Sequence, residues 1–247
     1  MSWAPQAAWA GLTSSPLFGL TLTLLAYEVS VRIWRRCGRR AVANPVLMSI
    51  VLIGSTLAVL HVSYENYLTG GRFISILLGP ATVALALPLY RQSDTIRRAA
   101  GPIILGILIG ASAAVASALL VTRWSGGQEV LARSLAPKSA TTPIAIVVAD
   151  QIGGIPALTA VFTILTGVLG AVAAPAILSA VRIRDPRARG LAIGISSHGI
   201  GTARALEDDP ASGAFAGLAM ALSAVVTPLA VPVVLAALGM AAHLGSQ

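Results

Sequence analysis

The sequence is poor in charged residues, in aromatic residues and in cysteine. Only 11% of its 247 residues are Asp, Glu, Lys or Arg, and only 5% are aromatic. Soluble domains carry about 25% charged residues, so this chain has too little charge to cover a globular surface. The net charge of +8 invites a nucleic-acid reading, but no aromatic stacking platform accompanies the cations. The single cysteine, Cys37, excludes an internal disulfide.

What the sequence does contain is mostly apolar. Hydrophobic residues make up 56% of the chain, and its mean hydropathy is +0.83. The apolar segments are continuous, and several approach the roughly 20 residues that a helix needs to cross a bilayer. We therefore expect an all-α polytopic membrane protein with about seven spans. The predicted spans are 17–34, 45–63, 73–90, 101–121, 155–181, 190–206 and 213–239.

The segment between the fourth and fifth predicted spans is too short and too polar to cross the membrane twice. Residues 123–136 are mildly amphipathic, and a second short apolar stretch ends at Gly153 and Gly154. This pattern predicts a re-entrant hairpin over residues 137–153.

Twelve of the 17 Lys and Arg residues lie in three clusters between apolar runs, and the positive-inside rule places such clusters in the cytoplasm. The clusters are Arg32, Arg35, Arg36, Arg39 and Arg40; Arg91, Arg97 and Arg98; and Arg182, Arg184, Arg187 and Arg189. When the predicted spans are counted from these cytoplasmic clusters, the N-terminus lies outside. Residues 190–206 then cross from the cytoplasm to the outside, so Glu207 and Asp208 lie outside. The C-terminus is then cytoplasmic. We expect a multi-pass protein of the inner (plasma) membrane.

The spans also form two units of opposite orientation within a single domain, 1–247. Each unit is predicted to contain a helix, a broken helix and a second helix, in residues 45–121 and in residues 155–239. The first unit begins on one side of the membrane and the second unit begins on the other side. Inverted repeats with broken helices are typical of secondary transporters, whose substrate site lies near the midplane.

Three breaks share a design in which small or helix-breaking residues precede a Thr and an apolar run, at 79–82, 137–143 and 198–204. Ser and Thr cap helix N-termini, and such ends favour anions. Lys138 and Arg204 add cations outside the orienting clusters, which predicts a site for a small carboxylate. The predicted substrate-binding residues are Thr82, Lys138, Ser139, Thr141, Thr142, His198, Gly199, Thr202 and Arg204.

Each of these residues has a simpler interpretation. Lys138 reaches the outer interface or pairs with Asp150 across the hairpin. Arg204 pairs with Glu207 one turn later. His198 serves only as a hydrogen-bond donor in helix packing, and the Thr residues serve only as caps.

Signatures of catalysis are weak in this sequence. It has three His residues but no HExxH pattern, no phosphate-binding loop and no cluster with the spacing of metal ligands. We therefore expect no enzymatic activity, no cofactor and no metal. Glu28 in the first span is either a proton site or an interfacial residue.

Four stretches of the sequence resemble the LrgB family, also called CidB/LrgB or antiholin-like proteins. They are LLGPATVALALPLY at 77–90, LAPKSATTPIA at 135–145, IGGIPALTA at 152–160, and RGLAIG at 189–194 leading to SHGIGTARA at 197–205. The resemblance extends from about residue 44 to 235. Asp150 departs from the small residue expected there.

The resemblance implies two kinds of function. The family was named for control of murein hydrolase activity and cell lysis, whereas plastid members are similar to glycolate/glycerate carriers and some bacterial pairs are implicated in pyruvate transport. Our leading hypothesis is a carrier of small monocarboxylates in which His198 couples a proton. The alternative is an antiholin-like pore, or a regulator of autolysis and envelope permeability. The expected partners are a small organic anion, the lipid bilayer, an LrgA-like membrane protein and further copies of the chain, but no nucleic acid.

Overall fold

The chain is helical wherever its structure is described. The computed structural model describes residues 11–38, 43–77, 80, 83–84 and 86–240, and these ranges contain no strand. The chain divides into two compact units, Met1–Ala84 and Leu85–Gln247. The helices of the first unit are α1 (Pro16–Arg36), α2 (Pro45–Val59) and α3 (Tyr64–Ile76). Those of the second unit are α4 (Ala86–Arg91), α5 (Ser93–Arg98), α6 (Ala100–Trp124), α7 (Glu129–Leu135), α8 (Thr142–Gln151), α9 (Pro156–Ala180), α10 (Pro186–Asp208) and α11 (Pro210–Ala237).

Four of these helices, α1, α6, α9 and α11, are long and apolar enough to cross a membrane. Helix α2 is also apolar but has only 15 residues. The all-α polytopic membrane fold predicted from composition is thereby confirmed. Pro175 in α9 and both Pro228 and Pro232 in α11 lie inside continuous helices. Neighbouring groups in a bundle can satisfy the backbone carbonyls that proline frees.

In the first unit, small residues bring α1 into backbone contact with α3. A Cβ built on Gly19 would lie 3.2 Å from the Cα atom of Gly70. Nearby, the hydroxyl groups of Thr23 and Tyr67 lie 2.9 Å apart. Glycine contacts and interhelical hydroxyl pairs are the usual means by which membrane helices associate, because lipid offers no hydrophobic drive.

The predicted third span, 73–90, differs from the observed structure. The Ser63 hydroxyl accepts a hydrogen bond from the Asn66 backbone N–H and caps α3, so the polar segment 64–72 between two predicted spans is helical. Helix α3 ends at Ile76 and α4 begins at Ala86, and the described residues 80, 83 and 84 between them are helical. Except for Pro80, the break predicted at 79–82 lies outside the described residues.

The frame of the second unit consists of α6, α9 and α11. Ile107 of α6 shares an apolar cluster with Phe215 near the start of α11, and Leu119 shares another with Leu235 near its end. Helices α6 and α11 therefore run parallel. Helix α9 runs the opposite way, because its end lies beside the start of α10, where Arg189 donates to the Pro175 carbonyl.

Helices α7 and α8 form a helical hairpin at the C-terminal ends of α6 and α11. We call α7, the turn 136–141 and α8 hairpin A. At its base, the Ser134 hydroxyl accepts a 2.8 Å hydrogen bond from the Ile155 backbone N–H, and Thr159 donates to the Ser134 carbonyl. Gly153 has a φ of +76° where the chain leaves α8 for α9. Hairpin A thus begins and ends at the same end of the bundle.

Helix α10 doubles back on itself at His198, where φ is 40° and ψ is −133°. A Cβ built on Gly201 would lie 2.8 Å from the Ile193 side chain, although residues eight apart in a straight helix are about 12 Å apart. Gly190, near the start of α10, packs against Ser212, just beyond its end. Both ends of α10 therefore lie beside the start of α11, and we call α10 hairpin B.

Hairpin B corrects the expectation that residues 190–206 cross the membrane once. A left-handed φ at His198 cannot continue a right-handed helix, and Gly201 lets the two arms approach closely. The acidic segment that follows, 207–209, consequently returns to the end of the unit where Arg187 lies. Asp185 lies in the loop before α10 and accepts a hydrogen bond from the Arg187 side chain. This hydrogen bond lowers the pKa of the Asp185 carboxyl group.

Candidate functional site

The two hairpins of the second unit enter the frame from opposite ends. Hairpin A contributes to the apolar cluster that contains Val115 of α6, whereas Ile195 of hairpin B packs against Gly110 of the same helix. Five residues of α-helix span about 7.5 Å. The hairpins therefore approach each other near the middle of the bundle, where discontinuous membrane helices place a binding site.

The turn of hairpin A carries four of the predicted site residues. Ser139 is buried, and Lys138, Thr141 and Thr142 are half-buried. None of these four side chains has a hydrogen-bond or ion-pair partner within the described part of the chain. A half-buried ammonium group without a counter-ion is unfavourable at membrane depth, so the turn is suited to receive an anion.

Helix α8 begins at this turn with its N-terminus open. Thr141 is the N-cap residue, but its side chain makes no capping hydrogen bond, and Pro143 in the first turn has no N–H. The remaining N–H groups of the first turn point towards the turn of hairpin A. They add partial positive charge to that of Lys138.

Asp150 does not neutralise this turn. Its side chain is exposed and forms no ion pair with Lys138 in the described structure. Glu28, the other acidic residue singled out from the sequence, is also exposed and pairs with Arg32 at 2.9 Å.

The turn of hairpin B is held by His198. Its imidazole is buried, and Nε2 lies 2.8 Å from the Thr163 carbonyl oxygen of α9, which makes Nε2–H the donor. The ring packs against Gly167, where a built Cβ would lie 2.6 Å from Cε1. Nδ1 makes no hydrogen bond with any described residue. A strained non-glycine residue held by such contacts is typical of functional sites.

Gly199 and Thr202 open the second arm of hairpin B. Thr202 is buried, and its hydroxyl donates to the His198 carbonyl at 2.8 Å and approaches the sulfur atom of Met220 at 3.9 Å. Gly199 is exposed and also faces Met220. These contacts attach the turn of hairpin B to α11 on one side, while His198 attaches it to α9 on the other.

Arg204 lies at the far end of hairpin B from its turn. Its guanidinium forms ion pairs with Asp208 at 2.9 Å and with Glu207 at 3.8 Å. The local pairing considered from the sequence is therefore present. Thr82, the remaining predicted site residue, lies outside the described residues.

Two buried hydroxyl groups that the sequence did not single out lie between the hairpins. Thr163 follows Thr159, the hairpin A contact, by one turn of α9, and Ser223 lies between Met220 and the hairpin A cluster on α11. Neither Thr163 Oγ1 nor Ser223 Oγ has a hydrogen-bond partner in the described structure. A buried unpaired hydroxyl costs about 1–3 kcal/mol, so a ligand that supplies a partner recovers this free energy.

Arg133 on α7 is also absent from the predicted set. It lies in the segment 123–136, which the sequence describes only as mildly amphipathic, yet the arginine is buried and pairs with Glu129. As for metals, the residues with a described position contain no group of three or more His, Cys, Asp or Glu side chains that could hold an ion.

Comparison with known proteins places these features in a family. The profile described as "LrgB-like family" matches residues 23–237. "Uncharacterized protein YwbG" of Bacillus subtilis (strain 168) is 38% identical over 219 residues, which cover 89% of this chain and 97% of the relative. "Uncharacterized protein YxaC" of the same organism is 39% identical over 207 residues, 84% and 90% of the two chains. "Antiholin-like protein LrgB" of Bacillus mycoides (strain KBAB4) is 32% identical over 227 residues, 92% and 99% of the two chains. No solved structure matches.

Proposed function

Because the chain belongs to the LrgB-like family of membrane proteins, we propose that it is a carrier of small monocarboxylates of the pyruvate, glycolate or glycerate type. The observation that carries the proposal is Lys138, a cation in the turn of a helical hairpin inside the bundle that has no counter-ion among the described residues. The open N-terminus of α8 adds to its field. A short carboxylate supplies both the missing charge and the missing hydrogen-bond acceptors.

The two opposed hairpins favour a carrier over a permanent pore. Alternating access requires a site that opens to one side at a time, and two hairpins entering from opposite ends provide one gate for each side. Ser139, Thr141 and Thr142 are the proposed hydrogen-bond donors to the substrate in hairpin A. The hydroxyl proton of Thr202 is used by the His198 carbonyl, so in hairpin B this residue is proposed to hold the turn rather than to donate to the substrate. Arg204, already paired with two carboxylates, acts at the entrance rather than at the bound carboxylate.

His198 is the proposed proton-coupling group. Its Nε2–H is used by the Thr163 carbonyl, which leaves Nδ1 as the atom that can take up a proton from the site. The substitution His198→Gln keeps a donor for the carbonyl but cannot change its charge. It should leave exchange of substrate across the membrane measurable while abolishing its acceleration by a pH gradient.

The proposed orientation follows from the arginine clusters of the second unit. Arg98 precedes α6 and Arg187 begins α10, and both helices start at the same end of the bundle. The positive-inside rule puts this end in the cytoplasm. Since α10 returns to it, α11 ends outside, opposite to the cytoplasmic C-terminus expected from the span count. For the first unit, Arg35 and Arg36 at the end of α1 support the proposal that the N-terminus lies outside.

Uptake into proteoliposomes tests the proposal. Labelled glycolate or pyruvate should enter saturably, and unlabelled monocarboxylate should compete. The substitution Lys138→Gln should reduce uptake at low substrate by about tenfold or more, because a charge-assisted hydrogen bond contributes about 1.5–3 kcal/mol. Arg184→Gln, which removes an exposed cation from the arginine cluster, is the matched control. Uptake that is linear in concentration, or equal in the two variants, would refute the carrier site.

The second candidate function is antiholin-like control of envelope permeability and murein hydrolase activity. It is favoured by the name of the Bacillus mycoides relative. This function predicts release of trapped dyes of several sizes from liposomes, without saturation and without dependence on Lys138. It also predicts that deletion of the gene changes autolysis in cells whose monocarboxylate uptake is unaltered.

The proposed partners are an LrgA-like membrane protein and further copies of this chain. If an LrgA-like protein is required, proteoliposomes containing the chain alone should show little uptake, and co-reconstitution should restore it. Dependence on Lys138 in the co-reconstituted sample would assign the substrate site to this chain.

A further inference from the structure

Arg133 is the one Lys or Arg residue of the described ranges that is buried. The residue is 7% exposed, whereas the side chain of Glu129, its ion-pair partner at 2.6 Å, is 52% exposed. Burying a guanidinium group is costly unless its N–H groups are paired. An ion pair with Glu129 at the surface would not require Arg133 to be buried, so other contacts of the guanidinium group must account for its burial.

The other partners of Arg133 are backbone carbonyl groups at the ends of two helices. Nη1 donates to the Ile152 carbonyl at 3.0 Å, and Nη2 donates to the Met240 carbonyl at 3.5 Å. Ile152 is the C-cap residue of α8, and Met240 follows the end of α11. Helix C-termini carry partial negative charge. One side chain thus joins α7 to the C-terminal ends of α8 and α11.

These contacts lie at the base of hairpin A, and the predicted anion site lies at its turn. The bond from Arg133 to Ile152 ties the start of the hairpin to its end. Gly153 is part of the same arrangement, since a Cβ there would lie 3.2 Å from Nη1. Lys138 and Ser139 follow Arg133 by five and six residues, so the tie determines where the turn sits.

We propose that Arg133 is a positioning residue that holds the two arms of hairpin A together and thereby fixes Lys138 and Ser139 for the anion. The anchoring is independent of what the protein carries; its consequence for substrate rests on the proposed function. Loss of the guanidinium loosens the turn while the frame of α6, α9 and α11 stays folded.

The chain provides a matched control in Arg123. This exposed arginine donates to the Leu238 carbonyl at 3.3 Å and so also binds the end of α11. Its hydrogen bond does not involve hairpin A. Arg133→Gln and Arg123→Gln therefore remove the same kind of contact from α11, but only the first one releases the hairpin.

Cysteine labelling measures the anchoring directly. In a Cys37→Ser background, Ala140→Cys reports on the turn and Ala171→Cys reports on the frame, since both alanines are buried. Arg133→Gln should speed labelling of position 140 by a soluble maleimide about tenfold or more, as a lost charge-assisted hydrogen bond eases local opening. Arg123→Gln should not. The proposal would be overturned if position 140 were labelled at equal rates in the two variants. It would also be overturned if Arg133→Gln accelerated labelling of position 171 as much as that of position 140.

Transport measures the consequence for substrate. Arg133→Gln should raise the KM for the monocarboxylate about tenfold with a maximal rate within about twofold, since positioning acts on binding. Arg133→Lys should recover part of the loss. An unchanged KM despite faster labelling would overturn the positioning role. If the wild-type protein shows no saturable uptake, the proposed function fails, and the labelling alone decides whether Arg133 anchors the hairpin.

Discussion

At the scale of single residues, the site depends on a glycine that leaves room for a histidine ring. A Cβ on Gly167 would come within 2.6 Å of His198 Cε1, so Gly167→Ala should displace the ring or the helix. We expect a loss of about 1–3 kcal/mol in the free energy of unfolding, together with loss of uptake. Gly106→Ala in α6 is the control, because a Cβ there meets nothing within 4 Å. Melting temperatures in detergent should fall for the first variant only, and equal falls would refute the packing argument.

Thr163 offers a test that separates stability from function. Its hydroxyl is buried and has no hydrogen-bond partner among the described residues, so Thr163→Val should leave the free energy of unfolding unchanged or raise it by up to about 1 kcal/mol. Thr159→Val, one turn earlier, removes a bonded hydroxyl and should destabilise the protein. If the Thr163 hydroxyl hydrogen bonds to the substrate, Thr163→Val should bind monocarboxylate more weakly than the wild-type protein, although its melting temperature is not lower. A loss of stability equal to that of Thr159→Val would contradict this assignment.

Some residues of the candidate site can be recognised from the sequence, and others can be recognised only from the structure. Lys138 and His198 are polar residues at breaks in apolar runs, so residue type and position suffice to single them out. Thr163 and Ser223 lie inside helices that read as uninterrupted spans, where a Thr or Ser normally bonds to the carbonyl four residues earlier. Whether that bond forms depends on packing, which no sequence pattern reports. The same holds for the burial of Arg133.

At the scale of elements, the reversal of α10 makes a prediction about accessibility. Residues 188 and 207, near its two ends, are both exposed. In a Cys37→Ser background, Ala188→Cys and Glu207→Cys should react with a membrane-impermeant maleimide from the same side of oriented vesicles. Reaction from opposite sides would mean that residues 190–206 cross the membrane and that hairpin B does not exist.

Element boundaries were predictable where caps and length agree. The N-cap Asn44 precedes Pro45 at the first helical position of α2, and the predicted span starts at this proline. Helix α11 starts at Pro210, three residues before the predicted span, because Asp209 caps it. The apolar segment 190–206 is about long enough to cross, so hydropathy favours a span. A reversal requires the positive φ of His198 and the close approach of Gly201 to Ile193, and the hydropathy of the segment reports neither. The polar segment 64–72 lies outside the predicted spans, yet it is helical, and Gly70 packs against α1 despite polar neighbours.

At the scale of the whole molecule, the reversal of α10 in hairpin B changes the predicted orientation of α11. Its end is now expected on the outside rather than in the cytoplasm. Helices α9 and α11 run in opposite directions, so Ala180→Cys and Ala237→Cys, both at exposed final residues of these helices, should label from opposite sides. The positive-inside rule predicts that position 180 is cytoplasmic. Labelling of both positions from one side would contradict the antiparallel arrangement of α9 and α11.

The central claim is that Lys138, which has no ion-pair partner in the described part of the chain, makes the interior of this protein an anion site. Isothermal titration of the purified protein with glycolate and with pyruvate tests it most directly. The account predicts saturable binding to the wild-type protein, affinity about tenfold or more weaker for Lys138→Gln, and unchanged affinity for the exposed control Arg184→Gln. Undiminished binding by Lys138→Gln, or no saturable binding of either anion by the wild-type protein, would contradict it.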